Sequence, residues 1–371
     1  MLYNTTYTIC RWDIMEEDKK YKEDFFLNNT PFDIQSRYLE EISDNDIQKI
    51  DKDISIKIAE EGQGKWFLSS EGPIYFPKHD EYYSMFTDRN RDVISPNIQE
   101  KIRATQFLVF GVGSTGGDFS STIAQIGAEN ILIADMDVLD VSNLNRQHGS
   151  ISAIGKNKTD IIAKKIWDIN PYSKVDQIKE KLTPKSITTI IDSLDKEAII
   201  FLAMDDKDCI IRTHVKAQEK KIPIFMVTDI GHAIHLSIFD YSKENKKIFN
   251  GKISLEEAEK MSLLEFTAKF IEIKDLPNEY LSAAINMLSG KSRFIPQVTT
   301  ASKKAGAIAV EQVISYFEGR KSKLYKMHDT IKSQSTRTQR LIDSSKKPKK
   351  FIELVRLKKA LSKSTDKLNT F

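Results

Sequence analysis

Residues Phe107 to Gln147 read FLVFGVGSTGGDFSSTIAQIGAENILIADMDVLDVSNLNRQ, and this stretch decides the fold. An apolar run, Phe107 to Phe110, meets Gly111, Gly113 and Gly116, and a helical pattern follows. A second apolar run, Ile131 to Ala134, ends in Asp135. Strand, glycine turn, helix and acid-bearing strand together form the unit that dinucleotide-binding folds use. Glycines let backbone approach a phosphate, and the helix N-terminus behind them favours an anion. A carboxylate at Asp135 can accept hydrogen bonds from ribose hydroxyls. Asp137 and Asp140 read as loop acids or strand caps. The tail of the stretch, Asn143, Arg146 and Gln147, lies outside the dinucleotide fingerprint. Arg offers a planar fork of donors to phosphate oxygens, so this cluster points to a site that grips a polyphosphate.

Working outward, apolar strands alternate with helical segments from about 106 to 240, which predicts an α/β Rossmann-like, mostly parallel sheet with crossover helices. The later strand runs are Ala198 to Met204 and Ile222 to Thr228, with His232 to Tyr241 as an antiparallel addition. Lys158 begins a helix running to Trp167. A cation there opposes the helix dipole, a local conflict that a bound phosphate explains; Lys156 carries the same argument with less force. Asp205 and Asp206 follow the strand Ile199 to Met204. Ligands bind beyond the carboxyl ends of parallel strands, so an acid there can hold Mg²⁺ against nucleotide oxygens; as helix caps the pair need no such role.

The remaining chain divides by composition. Residues 1–80 suggest a small winged-helix-like module, with Thr30-Pro31-Phe32-Asp33 as a helix start and Gln63 to Leu68 as a turn into a strand. Residues 81–105 form a connector carrying Arg89 and Arg91. The core domain spans 106–330, with a charged helical insertion at about 243–296 whose clearest segment is Leu255 to Ile273. Val298 to Phe317 reads as a long buried helix in which Ala301, Ala305, Gly306, Ala307 and Ala309 permit close packing. Residues 331–371 form a basic tail in which Phe351 to Leu361 can make an amphipathic helix.

At 371 residues, with 40% hydrophobic and 29% charged residues, the composition is that of a soluble protein. No apolar run reaches the roughly 20 residues that span a bilayer, and the N-terminus lacks a secretory pattern, so a cytoplasmic location without a membrane partner is expected. Net charge is +3. The first hundred residues nevertheless carry an excess of roughly nine acids and the last forty an excess of roughly nine bases. The basic tail lacks interleaved aromatics, which argues against nucleic acid. Two cysteines, Cys10 and Cys209, cannot build a four-cysteine zinc site, and each reads as an apolar filler. His232 and His235 lie in an alternating segment that turns them to opposite faces, which argues against a metal pair.

The glycine turn, the Asp135-Met136-Asp137 strand end, Ser142 to Gln147, Gly155-Lys156-Asn157-Lys158 and the strand-end Asp205 occur in an order that resembles the ThiF/MoeB/E1 family of ubiquitin-activating-like adenylating enzymes. The resemblance covers about 85 to 240 and the helix near 298 to 320. It implies ATP and Mg²⁺ as cofactors, adenylation of a carboxylate and release of pyrophosphate. It assigns Gly111, Gly113, Gly116, Asp135 and Asp137 to the nucleotide, and Asn143, Arg146 and Gln147 to ribose and phosphates. Lys158 holds phosphate, Asp205 (or Asp206) holds magnesium, and Arg91 (or Arg89) reaches the partner's site in a homodimer. No CxxC pairs are present, so the zinc site of most bacterial members is not expected, and a thioester step lacks an obvious cysteine.

Gly155 to Asp160 and the N-terminal module resemble the peptide-maturing subgroup. That likeness implies a clamp at 1–80 for a precursor peptide's leader. It also implies activation of a glutamate side chain followed by dehydrative cyclisation, as in pantocin-like antibiotic biosynthesis. The alternatives are adenylation of the C-terminus of a sulfur-carrier or ubiquitin-like protein, and a non-catalytic scaffold of the same fold. A nicotinamide dehydrogenase explains the glycines and Asp135 but leaves Asn143 to Gln147 without a role.

Overall fold

A computed structural model of the chain describes residues 65–69, 72–76, 79–261, 263–271, 276–289, 291–292 and 297–368. The chain divides into two units, Met1–Arg91 and Asp92–Phe371. In the first, β1 (Lys65–Ser69) and β2 (Gly72–Phe76) pair as an antiparallel hairpin, followed by α1 (His79–Phe86). The strand expected after Gly64 is therefore present. The helices expected within 30–50 lie outside the described residues.

The second unit opens with α2 (Pro96–Ala104), whose proline occupies the helix start, where its missing N–H costs nothing. Then come β3 (Gln106–Phe110), α3 (Ser114–Ile126), β4 (Asn130–Ala134), α4 (Lys158–Ile169), β5 (Lys174–Ile178), α5 (Pro184–Asp192), β6 (Ala198–Leu202), α6 (Lys207–Glu219), β7 (Ile224–Ile230) and β8 (Ala233–Phe239). The chain continues through α7 (Leu255–Lys260), α8 (Leu263–Ala268), α9 (Asn278–Leu288), α10 (Thr299–Phe317), β9 (Tyr325–His328), α11 (Thr330–Gln334) and α12 (Arg337–Leu368).

The strands form one sheet in the order β5-β4-β3-β6-β7-β8-β9. The first five run parallel, and β8 and β9 are antiparallel additions. The order reverses at β3: β4 and β5 build outward on one side, and β6 crosses to the other. Such a switch point opens a crevice at the carboxyl ends of the strands.

Alternation along the strands sends side chains to two cores. Phe107, Val109, Ile199 and Phe201 face α3, α4 and α10; Leu108, Phe110, Ile200 and Leu202 face α5, α6 and the segment beyond β8. In the first core Phe119 stacks on Phe201 at 4.1 Å. In the second, burial pushes the His214 imidazole down to about 3, so the ring is neutral; it meets Phe239 edge-on, and Nδ1 lies 3.0 Å from the Tyr241 hydroxyl.

Three expectations are corrected. Within Val298 to Phe317, Ala301, Ala305, Gly306 and Ala309 are buried but Ala307 is exposed, because the helical period turns it outward. Close packing centres on Gly306, where an added Cβ would stand 2.7 Å from the Asp118 backbone. Within the segment Leu255 to Ile273 the described residues form two short helices, α7 and α8, the first closed by extended backbone at Met261. The tail helix is not confined to Phe351 to Leu361 but begins at Arg337 and contains Pro348.

Candidate active site

The crevice is a cavity of about 1030 Å³ within the second unit, lined by the ends of β3, β4, β6 and β7. Gly111, Gly113, Asp135, Asp137, Asn143, Arg146, Gln147, Lys158, Asp205 and Asp206 all line it. The sequence scatters these residues from 111 to 206, and the parallel sheet collects them because each lies on a connection that leaves the carboxyl end of a strand.

The three glycines do different work. Gly111 has φ +90°, and an added Cβ would stand 2.4 Å from the Ala203 carbonyl oxygen. At Gly116 a Cβ would stand 1.8 Å from the Gly111 carbonyl oxygen, so α3 can approach β3 only without a side chain there. Gly113 is different: the nearest atom to its Cβ would be Gln147 Nε2 at 3.5 Å. Its bareness keeps the cavity mouth open rather than relieving a clash.

Asp135 is pinned by two backbone donors. Oδ2 accepts the Val112 N–H and Oδ1 the Asp137 N–H, both at 2.9 Å. The carboxylate is thereby fixed between the glycine turn and β4. Lys158, 8% exposed, donates from Nζ to Asp137 Oδ2 at 2.7 Å. The dipole conflict expected at the start of α4 is thus eased by a carboxylate just past the end of β4, and Lys158 still lines the cavity.

Arg146 is braced on one side. Nε donates to Gln297 Oε1 at 2.7 Å, and Nη1 donates to Ser142 O and Asn145 Oδ1, each at 2.8 Å. Its carbonyl accepts from Ser302 Oγ on α10 at 3.1 Å. Among the described residues Nη2 makes no hydrogen bond, which leaves that edge of the fork for a ligand. Asn143 spends its side-chain oxygen on the Asp140 N–H, and Asp140 accepts in turn from Ser142 N–H; together they close a capping box. Gln147 Oε1 is buried without a partner among the described residues.

The two strand-end acids separate cleanly. Asp206 caps α6, accepting the Cys209 N–H at 3.0 Å, and that bond holds its carboxyl below the usual range. Asp205 has no such duty. Burial pushes its carboxyl up; Lys158 opposes the shift, while Asp137 and Asp135 add to it. Of the two, Asp205 is the one placed to meet a cation.

Other residues that the sequence singles out are not among those lining this cavity. Arg91 pairs with Asp88 in the first unit. Lys156 is exposed. His232 sits 3.1 Å from Asp329, while His235 stacks with Tyr325, so the two histidines serve different neighbours. Among the described residues no group of three His, Cys, Asp or Glu could hold a metal. Cys209 is buried, donates weakly to the Leu182 carbonyl, and is pushed by burial up to about 12. Such a thiol is almost wholly protonated at neutral pH and a poor nucleophile. Cys209→Ala should therefore leave intact the AMP formation expected from the sequence, while losing about 1 kcal/mol of stability in urea unfolding. Loss of activity in a folded variant would restore a covalent role. Cys10 lies outside the described residues.

Sequence reasoning missed Ser114, Asp229 and Gln297 in the lining. Asp229 follows the apolar run Ile222 to Thr228, so the strand-end rule applied to Asp205 could have found it. Gln297 carries no local signal, because its position comes from an isolated bridge to Gly231 at the β7–β8 turn.

The ThiF family model matches residues 87–347. Among curated relatives, an uncharacterized protein of Mycobacterium tuberculosis is 30% identical over 175 residues, which is 47% of this chain and 24% of that protein. The tRNA threonylcarbamoyladenosine dehydratase of Bacillus subtilis is 32% identical over 105 residues, 28% of this chain and 41% of the enzyme. The chain thus spans well under half the length of these relatives. The crystal structure of PaaA superposes with a TM-score of 0.50 at 19% identity, covering 70% of this chain and 79% of PaaA, a likeness of fold. The matched range takes in the whole sheet and every residue lining the crevice, and the chain belongs to the ThiF family.

Proposed function

We propose that the protein is an ATP- and Mg²⁺-dependent adenylating enzyme that activates a carboxylate of a ribosomally made peptide. The observation that carries this reading is the convergence of Arg146 and Lys158 on a glycine-lined cavity that also holds Asp135 and Asp205. A pinned carboxylate, two cations and one loosely held acid suit ribose, phosphates and a magnesium ion respectively. The unpartnered Gln147 Oε1 is a further polar atom that a bound nucleotide would satisfy. Bound magnesium would neutralise polyphosphate charge, and Asp205 is the residue to hold it.

In this reading Asp135 accepts from the ribose hydroxyls, and the first turn of α3 faces the phosphates. Arg146 Nη2 and Lys158 Nζ hold the phosphate oxygens and stabilise the charge that grows as pyrophosphate departs. Transfer of AMP to the substrate carboxylate turns a poor leaving group into a good one. Residues 1–80 would clamp the peptide leader, and a homodimer would bring Arg91 to the partner's site. The activated group would be a glutamate side chain whose dehydrative cyclisation gives a pantocin-like product. The motif at Gly155 to Asp160 and the N-terminal module support the peptide over a carrier protein.

Thermal unfolding with ligand tests the nucleotide reading. Mg²⁺·ATP at a hundred times its dissociation constant stabilises by about 2.7 kcal/mol. For a chain of this size that should raise Tm by roughly 3 to 5 °C, whereas NAD(P) should not move it. A shift with NAD(P) alone would favour a dehydrogenase, and no shift with either would leave a scaffold. Mass spectrometry of short peptides incubated with ATP then reads the substrate class through loss of water or carbon dioxide. AMP release driven only by a sulfur-carrier-like protein would reassign it.

A further inference from the structure

Asp229, like Glu180, is a cavity-lining acid that the nucleotide reading leaves unused. It stands near the carboxyl end of β7, and the order β4-β3-β6-β7 puts it three strand spacings from the end of β4. At about 4.8 Å per strand that is on the order of 14 Å, across the crevice from Asp135. Ser114 Oγ donates to Oδ2 at 3.2 Å, and Oδ1 is buried with no partner among the described residues. The charged groups around it are Arg146 from the loop before α4, Asp118 on α3 and Asp205 beyond β6. Burial is the largest influence and pushes the carboxyl up to about 6; Ser114 and Arg146 oppose it, and the two acids add to it.

A carboxylate in this position repels phosphate, so its natural partner is a donor. A ribose fixed at Asp135 and phosphates at Arg146 leave the β7 end for the acyl group of an adenylate. We propose that Asp229 is the acceptor-side base of this cavity, receiving the N–H of a nitrogen nucleophile that attacks the acyl-adenylate. The proposal rests on the adenylation reading and adds to it the nucleophile's class and the residue that serves it. In the step, the nitrogen lone pair forms the C–N bond to the acyl carbon. The bond from that carbon to the phosphate oxygen breaks, AMP leaves with the electron pair, and the nitrogen's proton passes to Asp229. Above about pH 6 the carboxyl is ionised and able to accept; below it the proton is already in place.

Two stable adenylate mimics test the placement, glycyl-sulfamoyl-adenosine with an ammonium beside the acyl carbon and acetyl-sulfamoyl-adenosine without one. At pH 7.5 the wild-type protein should bind the glycyl mimic about tenfold more tightly, the worth of one charge-assisted hydrogen bond. That preference should fade by pH 5 and fall to about one in Asp229→Asn at both pH values. A preference absent from the wild type, or kept in the variant, overturns the proposal. Binding of neither mimic removes the adenylation reading itself. Proton transfer is read with acetyl-adenylate and hydroxylamine. Enzyme-accelerated hydroxamate formation should fall about hundredfold in Asp229→Asn, and equal rates for the two proteins overturn the role.

Discussion

Lys158→Ala is expected to lower AMP formation by a factor of about 10² to 10³ and to leave the fold intact. The ammonium is 8% exposed and faces a cavity in which the charge of a departing pyrophosphate would develop, so its loss is not replaced by water. Its partner tolerates the change: the Asp137 side chain is 55% exposed, so removing the lysine strands no buried charge. Arg146→Ala should cost a similar factor, since the free edge of the guanidinium is the only donor pair its neighbours leave unused among the described residues. AMP release at saturating Mg²⁺·ATP, together with the urea midpoint, separates loss of chemistry from loss of fold. Full AMP production by either variant would remove that side chain from the site.

Gly116→Ala should have the opposite profile, a loss of about 3 kcal/mol or more in folding stability. The added Cβ would meet the Gly111 carbonyl oxygen at 1.8 Å, and both partners are backbone, so neither can swing away. Relief requires α3 to back off from β3, which opens the first core at Phe119 and displaces the helix end that faces the cavity. Gly113→Ala is the internal comparison. Its Cβ meets only the tip of Gln147 at 3.5 Å, so urea unfolding should shift by less than about 1 kcal/mol. Equal stability losses for the two substitutions would show that the turn is held by something other than this close approach.

The parts of the site that were legible in the sequence are those whose signal is local. Gly111 to Asp135 is one strand-turn-helix-strand unit, so spacing alone placed the glycines and the acid. Lys158 stood out because a cation at a helix start needs a reason, although the reason includes Asp137 as well as any phosphate. Asp205 and Asp206 were indistinguishable until the structure showed which of them caps α6. Gln297 and Ser302 were invisible, because they reach Arg146 from more than 150 positions away. The tail helix was missed over its first part for a different reason: a segment that is polar on all sides offers no hydrophobic period to read.

The bracing of Arg146 has a thermodynamic consequence. A long side chain ordinarily surrenders up to about 2 kcal/mol of rotamer entropy when it closes on an anion. Here Gln297, Ser142 and Asn145 have already arrested the guanidinium, so that penalty falls on folding rather than on complex formation. Loosening the arginine by shortening Gln297 would therefore leave the attraction in place and weaken nucleotide affinity through entropy, a loss that calorimetry would register in −TΔS rather than in heat.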